Sequence, residues 1–366
     1  MMIDRRLFAH FDWRILGLTL AIAIMGLLNL YSITSNIEQG GTPIYTKQIL
    51  WLFIGLVIMV FVAFIEYRLY SDFAYIIYTL SILFLIILLA YGMVTSGAQR
   101  WFKIGGLSIQ PSEFVKITFI ITMAKIFQQP PQKGGYSLKD LPLPFFLLAL
   151  PVVMILKQPD LGTAVILVLV FFSILLFIKI RWSSLLVILL GGTSLIPLLW
   201  NFLKDYQKQR VITFLNPDLD PLGAGYHLIQ SKIAVGSGGL IGKGFMKGTQ
   251  CKLGFLPEQH TDFIFSAFSE EWGLLGSIFL ITLYTFLIIY GLRISIQSKD
   301  RFGAIISFGV VSMLFWHTFI NMAMVLGILP VVGVPLPFFS YGGSFLISTM
   351  IGIGLLINVS MRRYLF

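Results

Sequence analysis

The sequence predicts an all-α integral membrane protein of about ten transmembrane helices, and three observations carry that prediction. Charged residues make up 11% of the 366-residue chain and hydrophobic ones 57%, whereas soluble domains carry about 25% charged residues. The mean hydropathy of +0.89 requires long uncharged stretches, for which lipid is the solvent. Ten apolar runs recur along the chain, and at roughly 20 residues per span they leave room for loops but for no sizeable soluble domain. Residues 1–366 therefore read as a single polytopic membrane domain.

The first run, 15–33, follows Arg5 and Arg6, as the core of a secretory signal would. Its apolar core is too long for one, and no small-residue cleavage site follows Leu30, Tyr31 and Ser32, so it reads as a retained signal anchor. Runs at 49–65 and 73–91 come next, then a polar stretch at 95–110. The fourth run, 111–127, opens Gln110-Pro111-Ser112-Glu113, with proline suited to the first helical turn. The QQPPQKGG stretch at 128–135 is a turn-rich loop. Runs at 143–156, 164–178 and 185–199 complete the first seven. A long extracytoplasmic loop, 201–262, is expected between the seventh and eighth spans, and runs at 274–292, 303–326 and 345–359 close the chain. Before the last of these, LPVVGVPLPFFSYGGS is rich in proline and glycine yet strongly apolar. Irregular backbone at membrane depth is tolerated only where it is buried in protein or lines a wet cavity, so this segment is expected to re-enter the bundle.

An even number of spans puts both termini on one side. If that side is cytoplasmic, its flanks and loops hold fourteen Lys and Arg residues, among them Arg68, Lys133, Lys179, Arg181, Lys299, Arg301 and Arg362. The short outer loops hold four: Lys47, Arg100, Lys103 and Lys157. That asymmetry follows the positive-inside rule, with the long 201–262 connection left out because long loops translocate largely regardless of charge. The net charge of +10 then reports topology and attraction to anionic head groups, not nucleic-acid binding. The lone Cys251 can form no internal disulfide, and the four histidines show no zinc-ligand spacing.

Polar residues cluster on the outer side, which points to an outward-facing site. Glu113 and Lys116 lie three apart on one helical face, and charges at membrane depth turn toward the protein interior or a wet cavity. They read either as a neutralising structural pair or as a substrate-binding lysine positioned by its glutamate. Arg100 and Lys103 suit a pyrophosphate head group, since arginine grips phosphate oxygens in a fork; anchoring beside Trp101 serves equally well. Asp160, in Gln158-Pro159-Asp160-Leu161-Gly162-Thr163, is a candidate site residue or the cap of the next helix. The glycine-rich 236–244 stretch fails the nucleotide-loop pattern at Ser237 and Gly244, so its glycines are expected to supply mobile, closely approaching backbone. Asp262 stands where an apolar helix resumes, beside His260, and reads as a helix cap or as a carboxylate doing proton chemistry. Ser340 and Tyr341, in the re-entrant segment, are further candidates.

The stretches GAQRWF, QPSEFVK, QPDLGT, QRVITFLNPDLDPLGAGYHLIQSKIAVGSGGLIGKG, GTQ, FLPEQHTDFIF and LPVVGVPLPFFSYGGS resemble those of the SEDS family (shape, elongation, division and sporulation). The resemblance spans essentially the full chain and leans to the elongation branch of the family. It implies a ten-helix glycosyltransferase of the bacterial cytoplasmic membrane that polymerises lipid II into peptidoglycan on the outer face during cell elongation and rod-shape maintenance. It also implies a class B penicillin-binding protein as partner, alongside the rest of the elongation machinery. The family's favoured general base falls on Asp262, and the glutamate and lysine of its QPSE motif fall on Glu113 and Lys116. Lys116, Arg100 and Arg210 are then candidates to stabilise the leaving pyrophosphate, with Mg²⁺ or Mn²⁺ a candidate to share that charge. A lipid II flippase and a non-catalytic scaffold are the competing readings, since ten helices, intramembrane charges and a broken apolar segment are also features of transporters.

Overall fold

The computed structural model describes residues 10–35, 42–95, 98–104, 107–131, 134–202, 205–220, 223–256 and 258–363. Every predicted apolar run falls on a helix. These are α1 (Trp13–Thr34), α2 (Ile44–Phe64), a short α3 (Tyr67–Asp72), α4 (Ala74–Tyr91), α5 (Pro111–Ile126), α6 (Pro142–Lys157), α7 (Leu161–Phe177) and α8 (Trp182–Phe202). After α9 (Asp205–Leu215), α10 (Ala224–Ser237) and α11 (Thr249–Lys252) come α12 (Ile264–Gln297), α13 (Arg301–Val325) and α14 (Gly343–Arg362). Six of them, α1, α2, α4, α12, α13 and α14, are long and apolar enough to cross a membrane, and α6, α7 and the 182–194 part of α8 are shorter apolar helices. The chain is a multi-pass membrane protein.

Helices α5, α13 and α14 are largely enclosed, with α2 packed on α14, α4 on α5, and α7 and α12 on α13. The periphery explains the high hydropathy: Phe53, Phe61, Phe84, Phe279 and Leu190 are exposed, as side chains facing lipid are. Helix α5 is buried all round, which is why it can hold Glu113 and Lys116 only if they are paired.

Two expectations need correction. The 95–110 stretch, expected as an outer loop, is not a plain loop: β1 (Met93–Thr95), β2 (Ala98–Ile104) and β3 (Leu107–Ile109) form an antiparallel sheet in the order β1-β2-β3. Nor is 201–262 a loop, since α9, α10, α11 and a 3₁₀ turn at Pro217–Leu219 fill much of it. Helix α10 buries its Ser231 side against the bundle, the hydroxyl donating to Val325 O at 2.7 Å and lying 2.8 Å from the Ser266 hydroxyl.

Helix α12 is broken at Gly273, whose φ of +64° lies in the left-handed region that glycine enters without steric cost. The break frees backbone groups, and the glycine-rich segment takes them up. Leu274 N and Leu275 N donate to Gly239 O and Leu240 O at 2.9 and 3.1 Å, while Lys243 N and Gly244 N donate to Glu270 O and Glu271 O, both at 3.0 Å. Glu270 completes the join, its carboxylate accepting from Lys243 Nζ at 2.6 Å and Thr249 N at 2.8 Å. The glycines thus serve close approach, as expected, held by these bonds.

Candidate active site

Three non-helical segments meet at helix ends: the Gln158-Pro159-Asp160 turn between α6 and α7, the His260-Thr261-Asp262 stretch before α12, and residues 327–342 between α13 and α14. The last is non-helical, and its 334–340 part is largely buried, with Val334, Leu336, Phe338 and Phe339 all in the core, as its apolar composition requires.

Asp160 is the N-cap of α7. Its Oδ1 accepts from Thr163 N at 3.2 Å, and its Oδ2 accepts from the Thr163 hydroxyl at 2.9 Å and the Gln110 amide at 3.0 Å. Arg100, on β2, clamps the same turn: its Nε donates to Gln158 O at 3.0 Å and its guanidinium also bonds Pro159 O. The sheet that carries Arg100 therefore holds this turn. Lys103 lies on the same strand, its side chain outside the described residues.

The backbone around Asp262 is held from several sides. Asn321 Nδ2 donates to Asp262 O at 2.9 Å and to Val334 O at 2.7 Å. The Ser340 hydroxyl donates to Thr261 O at 2.7 Å and accepts from Leu336 N at 2.8 Å, and Tyr341 N donates to His260 O at 2.9 Å. The rings of His260 and Tyr341 lie 6.0 Å apart. Gln48, from α2, braces the far side by donating to Ser340 O at 3.1 Å.

The Asp262 carboxylate is treated differently. Helix α12 begins two residues later, with Phe263 at the N-cap and no side-chain capping bond, so the capping role is not the one Asp262 plays. Among the described residues no hydrogen bond to this carboxylate is present, and Gly333 packs against it: a Cβ there would sit 3.3 Å from Oδ2. Burial pushes the Asp262 carboxyl up to about 6, with the nearby Glu258 and Asp160 adding to the rise and Arg210 and Arg100 opposing it. Those influences place Arg100, Arg210 and Asp160 within electrostatic reach of one carboxylate. Burial likewise holds the His260 imidazole below its ordinary value, against Glu258. An unpaired carboxylate that ionises near neutrality and is held by its backbone is suited to take a proton from a hydroxyl.

Glu113 and Lys116 form a separate cluster. Lys116 Nζ lies 2.9 Å from Glu113 Oε2, 2.8 Å from His317 Nε2 and 5.3 Å from the centroid of the Phe345 ring. His317 Nδ1 is 3.3 Å from Pro335 O. A carbonyl can only accept, which puts the proton on Nδ1 and leaves Nε2 to accept from the lysine. The Ser348 hydroxyl donates to Glu113 Oε2 at 3.2 Å. The pair is thus occupied internally, with Lys116 1% and Glu113 3% exposed, and through His317 it holds the re-entrant segment.

Sequence reasoning passed over His317, Asn321, Gln48 and Gln110. The first two had a signal: polar residues four apart in an apolar span share one helical face and must find partners. Gln48 and Gln110 stand at helix starts, where a polar residue draws no notice.

The FtsW/RodA/SpoVE family model, described as "Cell cycle protein", matches residues 12–365. The peptidoglycan glycosyltransferase MrdB of Escherichia coli K12 is 42% identical over 358 residues, covering 97% of this chain and 94% of that protein. A solved chain from a peptidoglycan synthase complex, described as coordinating polymerization and crosslinking, superposes with a TM-score of 0.83 at 31% identity, covering 97% of this chain and 98% of its own. The rod shape determining protein RodA of Thermus thermophilus gives a TM-score of 0.71 at 29% identity, with the same coverages of 97% and 98%. With sequence and fold matched almost end to end, the chain belongs to the FtsW/RodA/SpoVE family.

Proposed function

We propose that this chain is a peptidoglycan glycosyltransferase, polymerising lipid II during cell elongation with Asp262 as general base. The observation that carries the reading is the Asp262 carboxylate itself, fixed through its backbone, unpaired among the described residues, and raised to about 6 within electrostatic reach of Arg210 and Arg100. The names of the relatives support the activity, and those named MrdB support the elongation branch.

Lipid II carries its sugar on a polyprenyl pyrophosphate, an already activated donor, so the reaction needs no nucleotide. Asp262 takes the proton of the acceptor 4-hydroxyl as that oxygen bonds to the anomeric carbon of the donor sugar. The bond from that carbon to the pyrophosphate oxygen breaks, and the pyrophosphate leaves with the electron pair. Attack opposite the leaving group inverts an α-linked donor to a β link. Arg100 and Arg210 are positioned by charge to stabilise the departing pyrophosphate. His260, Ser340 and Tyr341 hold the base in register, and the Asp160 cap holds the facing turn. Glu113 and Lys116 act one step removed, fixing the re-entrant segment through His317.

Among the described residues no group of three or more His, Cys, Asp or Glu side chains could hold a metal ion. Were a Mg²⁺ or Mn²⁺ ion bound, Asp262 is the carboxylate that would hold it together with the substrate's phosphates, and it would supply positive charge for the leaving group. We read the bundle as ten spans with both termini cytoplasmic and Asp262 facing outward, a reading supported by the Lys and Arg asymmetry. The synthase complex among the structural neighbours supports a class B penicillin-binding protein as the transpeptidase partner.

The test is glycan-strand formation from purified lipid II in liposomes by wild type and Asp262→Asn, each with and without the penicillin-binding partner. Strands made by wild type and lost in the variant are expected. No strands in any wild-type sample, with labelled lipid II crossing the bilayer, would replace the polymerase reading with a flippase.

A further inference from the structure

A cavity of about 530 Å³ opens where three inter-helix connections meet: the loop after α5, the turn between α7 and α8, and the start of α13. It lies at the end of α7 opposite the Asp160 turn. That helix has 17 residues, about 25 Å at 1.5 Å per residue, so the cavity and Asp262 sit near opposite membrane surfaces. Nothing in the glycosyltransferase reading uses it.

Its wall carries Lys179, Arg181 and Arg301, and no acidic residue is among the described lining. Two carboxylates stand nearby, and Asp140 is within electrostatic reach of Arg181. Asp140 accepts from Ser137 N at 2.8 Å and the Ser137 hydroxyl at 3.0 Å, and Asp300 caps α13 and accepts from the Tyr67 hydroxyl at 3.0 Å. Two of the cations are held by the wall: Arg181 Nε donates to Gly135 O at 3.1 Å, and the Arg301 guanidinium lies 6.0 Å from the centroid of the Tyr136 ring. On the membrane side Leu176 and Trp182 are 58% and 78% exposed, and Leu185 joins them in the wall. The positive-inside bias accounts for cations in these connections, but not for three of them sharing one concavity with an apolar lip.

We propose that this cavity binds the head group of an anionic phospholipid, a phosphodiester of the phosphatidylglycerol or cardiolipin kind, with an acyl chain lying along Leu176, Trp182 and Leu185. Arginine forks match phosphate oxygens, and basic pockets between transmembrane helices are a recurring form of lipid recognition. The apolar lip is what distinguishes a lipid from a free phosphate as occupant. The site would tie the α7–α8 turn to one leaflet, independently of the chemistry on the other side.

The test is native mass spectrometry of the whole protein released from nanodiscs of phosphatidylcholine with and without phosphatidylglycerol. Wild type should retain phosphatidylglycerol preferentially, and Arg181→Gln/Arg301→Gln should retain it at least about tenfold less, since charge-assisted bonds to the phosphate are lost. Tryptophan quenching by brominated acyl chains provides a readout on wild-type protein: brominated phosphatidylglycerol should quench more than brominated phosphatidylcholine, and Trp182→Phe should remove the difference. Equal retention by the double variant, equal quenching by the two lipids, or displacement of the lipid by soluble glycerophosphoglycerol at matched concentration would overturn the proposal. Lipid II polymerisation by the double variant in detergent should persist, which separates this test from that of the enzymatic reading.

Discussion

Replacing Asp262 by asparagine should cut activity by orders of magnitude while leaving the fold as stable or more so. The carboxyl stands at about 6 against an ordinary 3.8, so the folded protein holds this proton more tightly than the unfolded chain does. Its favourable contribution is therefore fully present below about pH 4 and is lost as pH rises through about 6. A shift of about two pH units, at about 1.4 kcal/mol each, sets an upper figure of about 3 kcal/mol at neutral pH, reduced by the partial solvent access of Asp262. Asparagine keeps the shape and carries no charge to desolvate. In thermal melts in detergent at about pH 7.5, Asp262→Asn should match or exceed wild type, and its advantage should vanish near pH 4. Polymerisation of labelled lipid II, followed on gels, should fall by about 10² to 10⁴. The wild-type rate should climb as pH rises through about 6 and then level off, since the base must be ionised. An asparagine variant that is clearly less stable at neutral pH, or a wild-type rate flat across that range, would refute the reasoning, because either would mean that the carboxylate is paired.

Glu113→Gln alone should cost about 3–5 kcal/mol in unfolding free energy by leaving Lys116 buried without its counter-charge. Glu113→Gln/Lys116→Met should recover much of that loss together with measurable polymerisation; a stable but inert double variant would instead put Lys116 in the chemistry. Asn321→Leu strips partners from the carbonyls of Asp262 and Val334 and should cost about 1–3 kcal/mol for each carbonyl left unsatisfied, read as a lower melting temperature with a reduced rate. Gly333→Ala places a side chain at a φ of +75°, against Asp262 Oδ2. It should cost about 1–2 kcal/mol in a denaturation series and lower the polymerisation rate more than that stability loss explains.

Much of this protein was legible from composition and spacing alone. Lipid demands uncharged stretches of a set length, so the apolar runs had to become helices, and all ten did. The Pro- and Gly-rich apolar stretch had to be buried irregular backbone, because no other placement satisfies its polar groups at membrane depth. Resemblance located Asp262 and the family. What remained illegible depended on which ends of distant helices meet. The sheet under Arg100 and the helices within 201–262 were missed because their short, mixed segments carry no strong periodicity. The spacing of Glu113 and Lys116 announced a pair, but only His317, more than 200 positions away in the chain, shows that the pair faces the re-entrant segment. Asp262 and Asp160 are the same residue type before similar apolar helices, so local sequence left each both a capping and a functional reading. Tertiary contacts separated them: Asp160 accepts from Thr163 and Gln110, whereas among the described residues Asp262 is gripped only through its backbone. Residue type and periodicity set where the chain must avoid water; which carboxylate stays unpaired is decided by the partners that folding brings to it.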